Sequence, residues 1–163
     1  MNLIYLSLGS NLGKREQHLE AALKLIQNRI GGIESVSRYY DSEPWGYTSE
    51  NRFCNCCVSL QTNIEPLLLM DRLLEIEQEI GRHREGMSYS DRVIDIDMLL
   101  YGDSRLDYPR LTLPHPSMGD RRFVLTPLAE IAPRLIHPVA GISISKMLQQ
   151  CPDQSEVIPL PQS

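Results

Sequence analysis

The segment VIDIDMLLYG, residues 93–102, constrains the fold of this chain more than any other part of the sequence. Its β-branched and long aliphatic residues predict a buried strand, and side chains along a strand alternate between two faces. The alternate apolar positions that suit packing against helices are Ile94, Ile96 and Met98. Asp95 and Asp97 therefore share the opposite face, where each carboxylate requires a cation or hydrogen-bond donors. The segment predicts a sheet with one apolar face and one face that carries polar chemistry.

The rest of the chain supplies the other elements of such a sheet. Short apolar runs bounded by turn-forming residues predict strands, and apolar residues at helical spacing predict helices. The predicted strands span 3–10, 33–41, 52–62 and 93–102, and the predicted helices span 14–30 and 65–80. This order predicts an α+β fold, a ferredoxin-like antiparallel sheet (βαββαβ) with helices on one face, C-terminal additions, and the opposite face free for a site. We expect a single domain over 1–163, with a loose tail at about 151–163.

Composition argues against some classes of function. The formal net charge of −5 disfavours nucleic acid as a general partner, although it is compatible with a local basic site. No apolar run approaches the roughly 20 residues of a membrane span, and the N-terminus lacks the pattern of a signal peptide. We therefore expect a cytoplasmic protein with no membrane association. The four cysteines are expected to be structural thiols, with a metal site at CNCC (54–57) as the alternative.

The two aspartates have a spacing that suits a divalent cation. They are separated by roughly 7 Å along the strand, and two carboxylates so placed can ligate one or two Mg²⁺ ions that also bind substrate phosphates. The alternative is a surface strand whose acids pair with lysine or arginine. Arginine is suited to bidentate phosphate binding, and a histidine held between two prolines, as His115 is, could donate to a phosphate oxygen. Because the chain has neither a P-loop nor a GxGxxG motif, such groups would have to hold any bound triphosphate.

The strand at 52–62 shows the same alternation. Phe53 and Asn55 share one of its faces, so an aromatic surface would lie next to an amide. An amide can donate to and accept from the edge of a heteroaromatic ring while the aromatic side chain stacks on its face. The alternative is that Phe53 and Phe123, the only two phenylalanines, are both core residues.

The chain contains, in this order, the segments YLSLGSNLG, FCNCCVSLQT, GRHR, RVIDIDMLLYG and LTLPHPSMGDRRFVLTPLAEIAP. In combination, these segments resemble the 6-hydroxymethyl-7,8-dihydropterin pyrophosphokinase family over nearly the whole chain. The last two are the most specific, because RxxDxD followed at this distance by LPHPxMxxRxFVLxPLxEIxP is unlikely to occur by chance.

The resemblance implies an enzyme of folate biosynthesis that transfers pyrophosphate from ATP to the hydroxymethyl group of the dihydropterin, leaving AMP. It implies that Asp95 and Asp97 hold two Mg²⁺ ions and that Arg82 and Arg92 act with them in catalysis. The residues implied to bind the pterin are Ser42, Glu43, Trp45, Phe53, Asn55 and Phe123. The residues implied to bind ATP are Glu77, Arg82, Arg84, Arg92, Arg110, Thr112, His115 and Arg121. Association with other folate-pathway enzymes is compatible with this assignment.

The chain departs from the family pattern in the segment before RxxDxD and in the pterin loop. The departures are Glu85, Tyr89, Ser90 and Asp91 in the first, and Glu43 and Trp45 in the second. We expect the loop 82–91 to act as a lid, and the added acidity leaves open whether ATP binding is weakened. Two alternatives to the enzyme are a pterin- or nucleotide-binding protein without catalysis and a metal-dependent nuclease or glycosyltransferase. Formation of AMP that requires both pterin and Mg²⁺ distinguishes the enzyme from the binding protein.

Overall fold

The structure is a computed structural model in which residues 1–81 and 91–161 are described. In these ranges the strands are β1 (Asn2–Ser10), β2 (Gly32–Val36), β3 (Tyr40–Ser42), β4 (Phe53–Thr62), β5 (Asp95–Tyr101), β6 (Leu106–Asp107), β7 (Thr112–Leu113) and β8 (Val157–Pro159). The helices are α1 (Arg15–Arg29), α2 (Pro66–Ile80), α3 (Arg122–Ile131) and α4 (Ile144–Gln149), with a 3₁₀ turn at Met118–Asp120. The predicted α+β class is confirmed.

The main sheet is antiparallel and has β1 and β4 at its centre. Its strand order is β5-β1-β4-β3-β8, and β2 pairs with β4 beyond the end of β3. Gly9 in β1 lies opposite both Asn55 in β4 and Asp95 in β5. Ser7, two residues earlier, lies opposite Asp97. Directly opposed residues project from the same face of a sheet, so the amide and the two carboxylates share one face.

The other face packs against α1 and α2. Their apolar side chains, among them Leu19, Ile26, Leu69 and Ile76, form a buried cluster with the alternate residues of β1, β4 and β5. Helix α2 begins after Glu65, whose side chain accepts hydrogen bonds from the backbone N–H groups of the first turn. It ends at Gly81, where φ is 121°. The predicted packing of Ile94, Ile96 and Met98 against helices is confirmed.

The site-bearing face is not free along its whole length, and in this the sequence-based expectation was wrong. Helices α3 and α4 cover part of it and form a second apolar cluster that includes Cys57, Leu99, Val124, Leu128 and Ile144. The apolar residues of α3 need burial, and this face of the sheet provides it next to β4 and β5. The part of the face around Gly9, Asn55 and the two aspartates lines a cavity among the described residues.

The predicted strand 33–41 forms two strands because Ser37 interrupts the ladder. The Ser37 side chain, rather than a backbone carbonyl, accepts the hydrogen bond from the backbone N–H of Cys57. After this interruption β3 continues alongside β4 and ends at Ser42, at the edge of the cavity.

The proline-rich C-terminal tail was predicted to be loose, and the structure corrects this. Residues 157–159 form β8, which pairs with β3 and places Val157 opposite Ser42. An edge strand tolerates proline because one row of its backbone groups faces away from the sheet. All four cysteines are buried thiols. No helix within 1–81 or 91–161 has the length and apolar character needed to cross a membrane.

Candidate active site

A cavity of about 250 Å³ opens on the face of the sheet that carries the two aspartates. Its floor is made by Ser7, Gly9, Asn55, Asp95 and Asp97, which are neighbours in the strand register. One wall is the β3–β4 loop, residues 43–52, and the other is the segment 115–123. The residues that complete the lining are Ser42, Glu43, Trp45, Tyr47, Phe53, Arg92, His115, Arg121 and Phe123.

One end of the cavity is strongly polar. Arg92 Nη1 lies 3.3 Å from Asp95 Oδ1, and Arg121 Nη1 lies 3.9 Å from Asp97 Oδ2. The two carboxylate side chains remain 27% and 33% exposed, so they are accessible from the cavity. This end therefore offers oxygen ligands to a divalent cation and guanidinium donors to an anion.

Glu77 lies behind β5 rather than in the cavity. It is 2% exposed, and its Oε2 accepts a hydrogen bond of 2.7 Å from the backbone N–H of Ile96. Because β5 is at the edge of the main sheet, this contact attaches α2 to the strand between the two aspartates. Glu77 thereby helps to set the position of both carboxylates.

The other end of the cavity is aromatic and contains one oriented amide. Phe53, Phe123 and Trp45 line it, and Asn55 lies on its floor. Asn55 Nδ2 donates a 2.7 Å hydrogen bond to Ser42 Oγ, and both residues are 1% exposed. This hydrogen bond fixes the plane of the amide.

Gly9 allows the Asn55 amide to lie against β1. A Cβ atom at Gly9 would lie 2.9 Å from Asn55 Oδ1 and 3.4 Å from the Phe53 ring. The first distance is below van der Waals contact, so only glycine leaves the amide in this position.

Arg121 bridges the two ends. Its guanidinium carbon lies 4.6 Å from the centroid of the Trp45 ring and 5.9 Å from that of Phe123. Within the described part of the chain, its Nε is buried without a hydrogen-bond partner. A buried donor of this kind is costly unless a ligand meets it.

His115 is held as a neutral hydrogen-bond donor. Its backbone N–H donates to the carbonyl of Leu99, and its Nδ1 accepts from the backbone N–H of Ser117 at 3.1 Å. The hydrogen-bond pattern thus assigns the proton of the neutral ring to Nε2. Burial, followed by the positive charge of Arg121, lowers the pKa of His115 to about 4, although Asp95 opposes the shift.

The structure brings together most of the residues that the sequence singled out. Those that line the cavity are Ser42, Glu43, Trp45, Phe53, Asn55, Arg92, Asp95, Asp97, His115, Arg121 and Phe123. Glu77, Arg110 and Thr112 do not line it. Arg110 forms an ion pair with Asp71, and Thr112 belongs to the small sheet of β6 and β7. Arg82, Arg84 and the predicted lid up to residue 90 lie outside the described residues.

Three lining residues were missed by the sequence analysis: Ser7, Gly9 and Tyr47. Ser7 and Gly9 alternate in the opening strand, so their shared face could have been recognised from the sequence. The position of Tyr47 depends on the path of the β3–β4 loop, which no local pattern specifies.

The groups that surround the cavity indicate the kind of ligand it suits. An open sheet face with an oriented amide, stacking aromatics, paired carboxylates and arginines suits a planar polar ring bound beside a polyanion. The model of the 7,8-dihydro-6-hydroxymethylpterin-pyrophosphokinase (HPPK) family matches residues 5–133, and the chain belongs to this family. It is therefore a pyrophosphokinase of folate biosynthesis that uses ATP as co-substrate.

Curated relatives agree with this assignment. The chain is 45% identical over 143 residues to a 2-amino-4-hydroxy-6-hydroxymethyldihydropteridine pyrophosphokinase of Porphyromonas gingivalis, covering 86% of this chain and 97% of the relative. It is 41% identical over 153 residues to the Pseudomonas aeruginosa protein of the same name, covering 91% of both chains.

Solved structures share the fold. One HPPK-DHPS structure in complex with substrates superposes with a TM-score of 0.77 at 16% identity, covering 91% of this chain and 43% of that longer chain. Wild-type Plasmodium falciparum HPPK-DHPS superposes with a TM-score of 0.74 at 18% identity, covering 92% and 43%. This chain thus spans less than half of those proteins, and at this identity the likeness concerns the fold.

Proposed function

We propose that this protein catalyses the Mg²⁺-dependent transfer of pyrophosphate from ATP to the hydroxymethyl group of 6-hydroxymethyl-7,8-dihydropterin, with release of AMP. The observation that carries the proposal is the register in which Asn55 and Asp95 flank Gly9 on one face. Two strand spacings separate β4 from β5, or about 10 Å. A bicyclic ring held at one edge by the amide can therefore direct its substituent towards the carboxylates.

The aromatic end is assigned to the pterin. Because Asn55 Nδ2 already donates to Ser42, its Oδ1 is the acceptor that an N–H of the ring can meet. Phe53 and Phe123 stack on the two faces of the ring, and Glu43 and Trp45 close the loop side.

The donor set of the polar end fits Mg²⁺. Asp95 and Asp97 would hold two Mg²⁺ ions together with triphosphate oxygens and water, which is the mixed ligand set that Mg²⁺ prefers. When bound, Mg²⁺ neutralises and polarises the phosphate oxygens.

The triphosphate is assigned to the donors around the two aspartates. His115 supplies Nε2–H, Arg121 its buried Nε–H, and Arg92 its guanidinium. Arg82 and Arg84 are proposed as further ATP contacts by family resemblance. The assignment of Arg110 and Thr112 to ATP likewise depends on the resemblance, and we infer that Glu77 acts by positioning β5.

The reaction requires positioning and charge neutralisation more than covalent participation by the protein. The hydroxymethyl oxygen attacks the β-phosphorus, the bond from that phosphorus to the bridging oxygen of AMP breaks, and AMP departs with the bonding electron pair. The hydroxyl proton passes to solvent. The arginines offset negative charge on the transferred group and on AMP, and the hydrogen bond between Asn55 and Ser42 keeps the ring edge fixed.

The fold description, the cellular location and the partners of the protein also belong to this proposal. The strand order β5-β1-β4 with β2 or β3 on its outer side supports a ferredoxin-like description of the βαββαβ portion. Four buried thiols support a cytoplasmic location. Association with other folate-pathway enzymes is supported by Dictyostelium discoideum "Folic acid synthesis protein FOL1", which is 35% identical over 160 residues that form 24% of its length.

An assay for AMP tests the proposal. AMP should form from ATP only when the dihydropterin alcohol and Mg²⁺ are both present. Asp95→Ala and Asp97→Ala should each reduce turnover by about 100-fold or more while pterin affinity changes less. Asp103→Ala, at an exposed position in the turn after β5, is the matched control and should retain turnover. Tight pterin binding without AMP formation by the wild type would instead identify a binding protein.

A further inference from the structure

Asp91 lies immediately before Arg92, and its carboxylate is enclosed by side-chain donors. Three of these donors belong to the β3–β4 loop, and the fourth is Asn11, just after β1. The contacts are Asn11 Nδ2 to Oδ1 at 2.9 Å, Tyr47 OH to Oδ1 at 3.1 Å, Ser49 Oγ to Oδ2 at 3.0 Å and Asn51 Nδ2 to Oδ2 at 2.7 Å. A single carboxylate thus accepts hydrogen bonds from three residues of the β3–β4 loop, which forms one wall of the cavity.

Asn11 joins the same group of residues to Arg92. Its backbone N–H donates to the Arg92 carbonyl at 2.9 Å, and its Oδ1 accepts from the Arg92 backbone N–H at 2.6 Å. Its Nδ2 is also within hydrogen-bonding distance of the Asn51 carbonyl, at 3.1 Å, and of the Tyr47 hydroxyl, at 3.2 Å. Asn11 is 3% exposed, so these contacts replace water on most of its polar atoms.

These contacts connect the two ends of the cavity. The β3–β4 loop contributes Trp45 and Tyr47 to the aromatic end of the cavity, while Arg92 contacts Asp95 at the polar end. Asp91 is the residue at which the loop meets the segment leading into β5. A shift of the loop would therefore disturb the backbone that carries Arg92.

The protonation states suit this arrangement. Burial alone would raise the pKa of Asp91, but the hydrogen bonds from Asn51, Ser49, Asn11 and Tyr47 hold it below its usual value. Burial, with a contribution from Asp91, raises the pKa of Tyr47 to about 12, so this phenol remains a donor at neutral pH.

We propose that Asp91 is a positioning residue that latches the β3–β4 loop to the segment leading into β5. This contact aligns the loop, which forms the wall at the aromatic end of the cavity, with Arg92. The inference deepens the proposed function and depends on it for its kinetic part. In the sequence, Asp91 looks like an unfavourable negative charge beside the phosphate site. In the fold, its oxygens are turned to the loop and accept four hydrogen bonds there.

The test uses Trp45, the only tryptophan of the chain, which lies in the latched loop. In Asp91→Ala, acrylamide quenching of the substrate-free protein should increase about twofold, and the KM for the dihydropterin alcohol should rise about tenfold. Asp91→Asn keeps one acceptor oxygen and should give intermediate values. Asp103→Ala, an exposed acid in the turn after β5, should match the wild type in both measurements.

A second variant keeps the test valid if Asp91→Ala does not fold. Ser49→Ala with Asn51→Ala removes two donors to Asp91 and leaves the contacts between Asn11 and Arg92 in place. It should reproduce the quenching and the KM change, with kcat altered less than KM. If either Asp91→Ala or the double variant folds and its Trp45 is quenched by acrylamide no more than in the wild type, the proposal is overturned. Absence of AMP formation in the wild type would refute the proposed function instead, since the quenching measurement needs no substrate.

Discussion

The guanidinium carbon of Arg121 lies 4.6 Å from the centroid of the Trp45 ring, so a cation and an aromatic side chain from opposite walls of the cavity are in contact. Trp45 belongs to the loop at the aromatic end, and Arg121 Nη1 lies 3.9 Å from Asp97 Oδ2 at the polar end. The pair therefore couples the two halves of the site. An arginine stacked in this way is also held ready for an anionic ligand.

Replacement of Trp45 should weaken ligand binding because the ring lines the aromatic end of the cavity. An aromatic contact contributes about 0.5–1.5 kcal/mol beyond the area it buries, so Trp45→Leu should lower the affinity for the dihydropterin by about tenfold. Trp45→Phe keeps an aromatic face and should retain most of the affinity. Titration calorimetry with the pterin compares the two variants, and wild-type affinity in Trp45→Leu would show that the stacking contributes nothing to binding.

A methyl group at Gly9 should damage the site more than the fold. The added Cβ would lie 2.9 Å from Asn55 Oδ1, so Gly9→Ala should displace the amide and raise the pterin KM by about tenfold or more. Gly32→Ala is a matched control, because nothing lies within 4 Å of its Cβ position. Steady-state kinetics and thermal unfolding of both variants check this; equal KM values would contradict the close approach.

Loss of the Glu77 carboxylate should destabilise β5. Glu77→Ala leaves the backbone N–H of Ile96 without this acceptor, and hydrogen bonds to charged groups contribute about 1.5–3 kcal/mol. Urea unfolding should show a loss of this size, with a fall in kcat because both aspartates are on the strand. Glu77→Gln preserves an acceptor and should lose less. Glu75→Ala, at an exposed position of α2, should be neutral.

His115 should remain neutral throughout the physiological range. Its pKa is lowered from 6.5 to about 4 by burial and by Arg121, so its ring resonances should not titrate between pH 6 and 8, as NMR can measure. The unfolded chain takes up this proton first as the pH falls from 6.5 to 4, so folding stability should decline over that window. His115→Gln should show a shallower decline in denaturant unfolding. An equal slope would exclude this contribution.

Some features of the fold and site follow from local sequence alone. The alternation of apolar and polar residues in 93–102 and 52–62 places Asp95 with Asp97, and Phe53 with Asn55, on defined faces, because side chains in a strand have a period of two. Those faces agree with the packing of β4 and β5 in the structure. Helices α1 and α2 are likewise predictable, since their apolar spacing and Gly stops are local signals.

Other features depend on contacts between distant segments. The proline-rich tail reads as loose, yet it pairs with β3, because an edge strand needs only one partner and tolerates proline. The covering of the sheet by α3 could not be read from its own residues, since an apolar helix face does not specify which surface buries it.

Local sequence specifies which side chains are carboxylates, amides or guanidinium groups, and on which side of each strand they lie. Which of these groups come into contact depends on the tertiary fold. The pairing of β1 with both β4 and β5 brings Asn55 and Asp95 to either side of Gly9, and the path of the β3–β4 loop brings Tyr47, Ser49 and Asn51 to Asp91. Strand register and loop path are set by burial and hydrogen bonding summed over the whole chain, which no short segment contains.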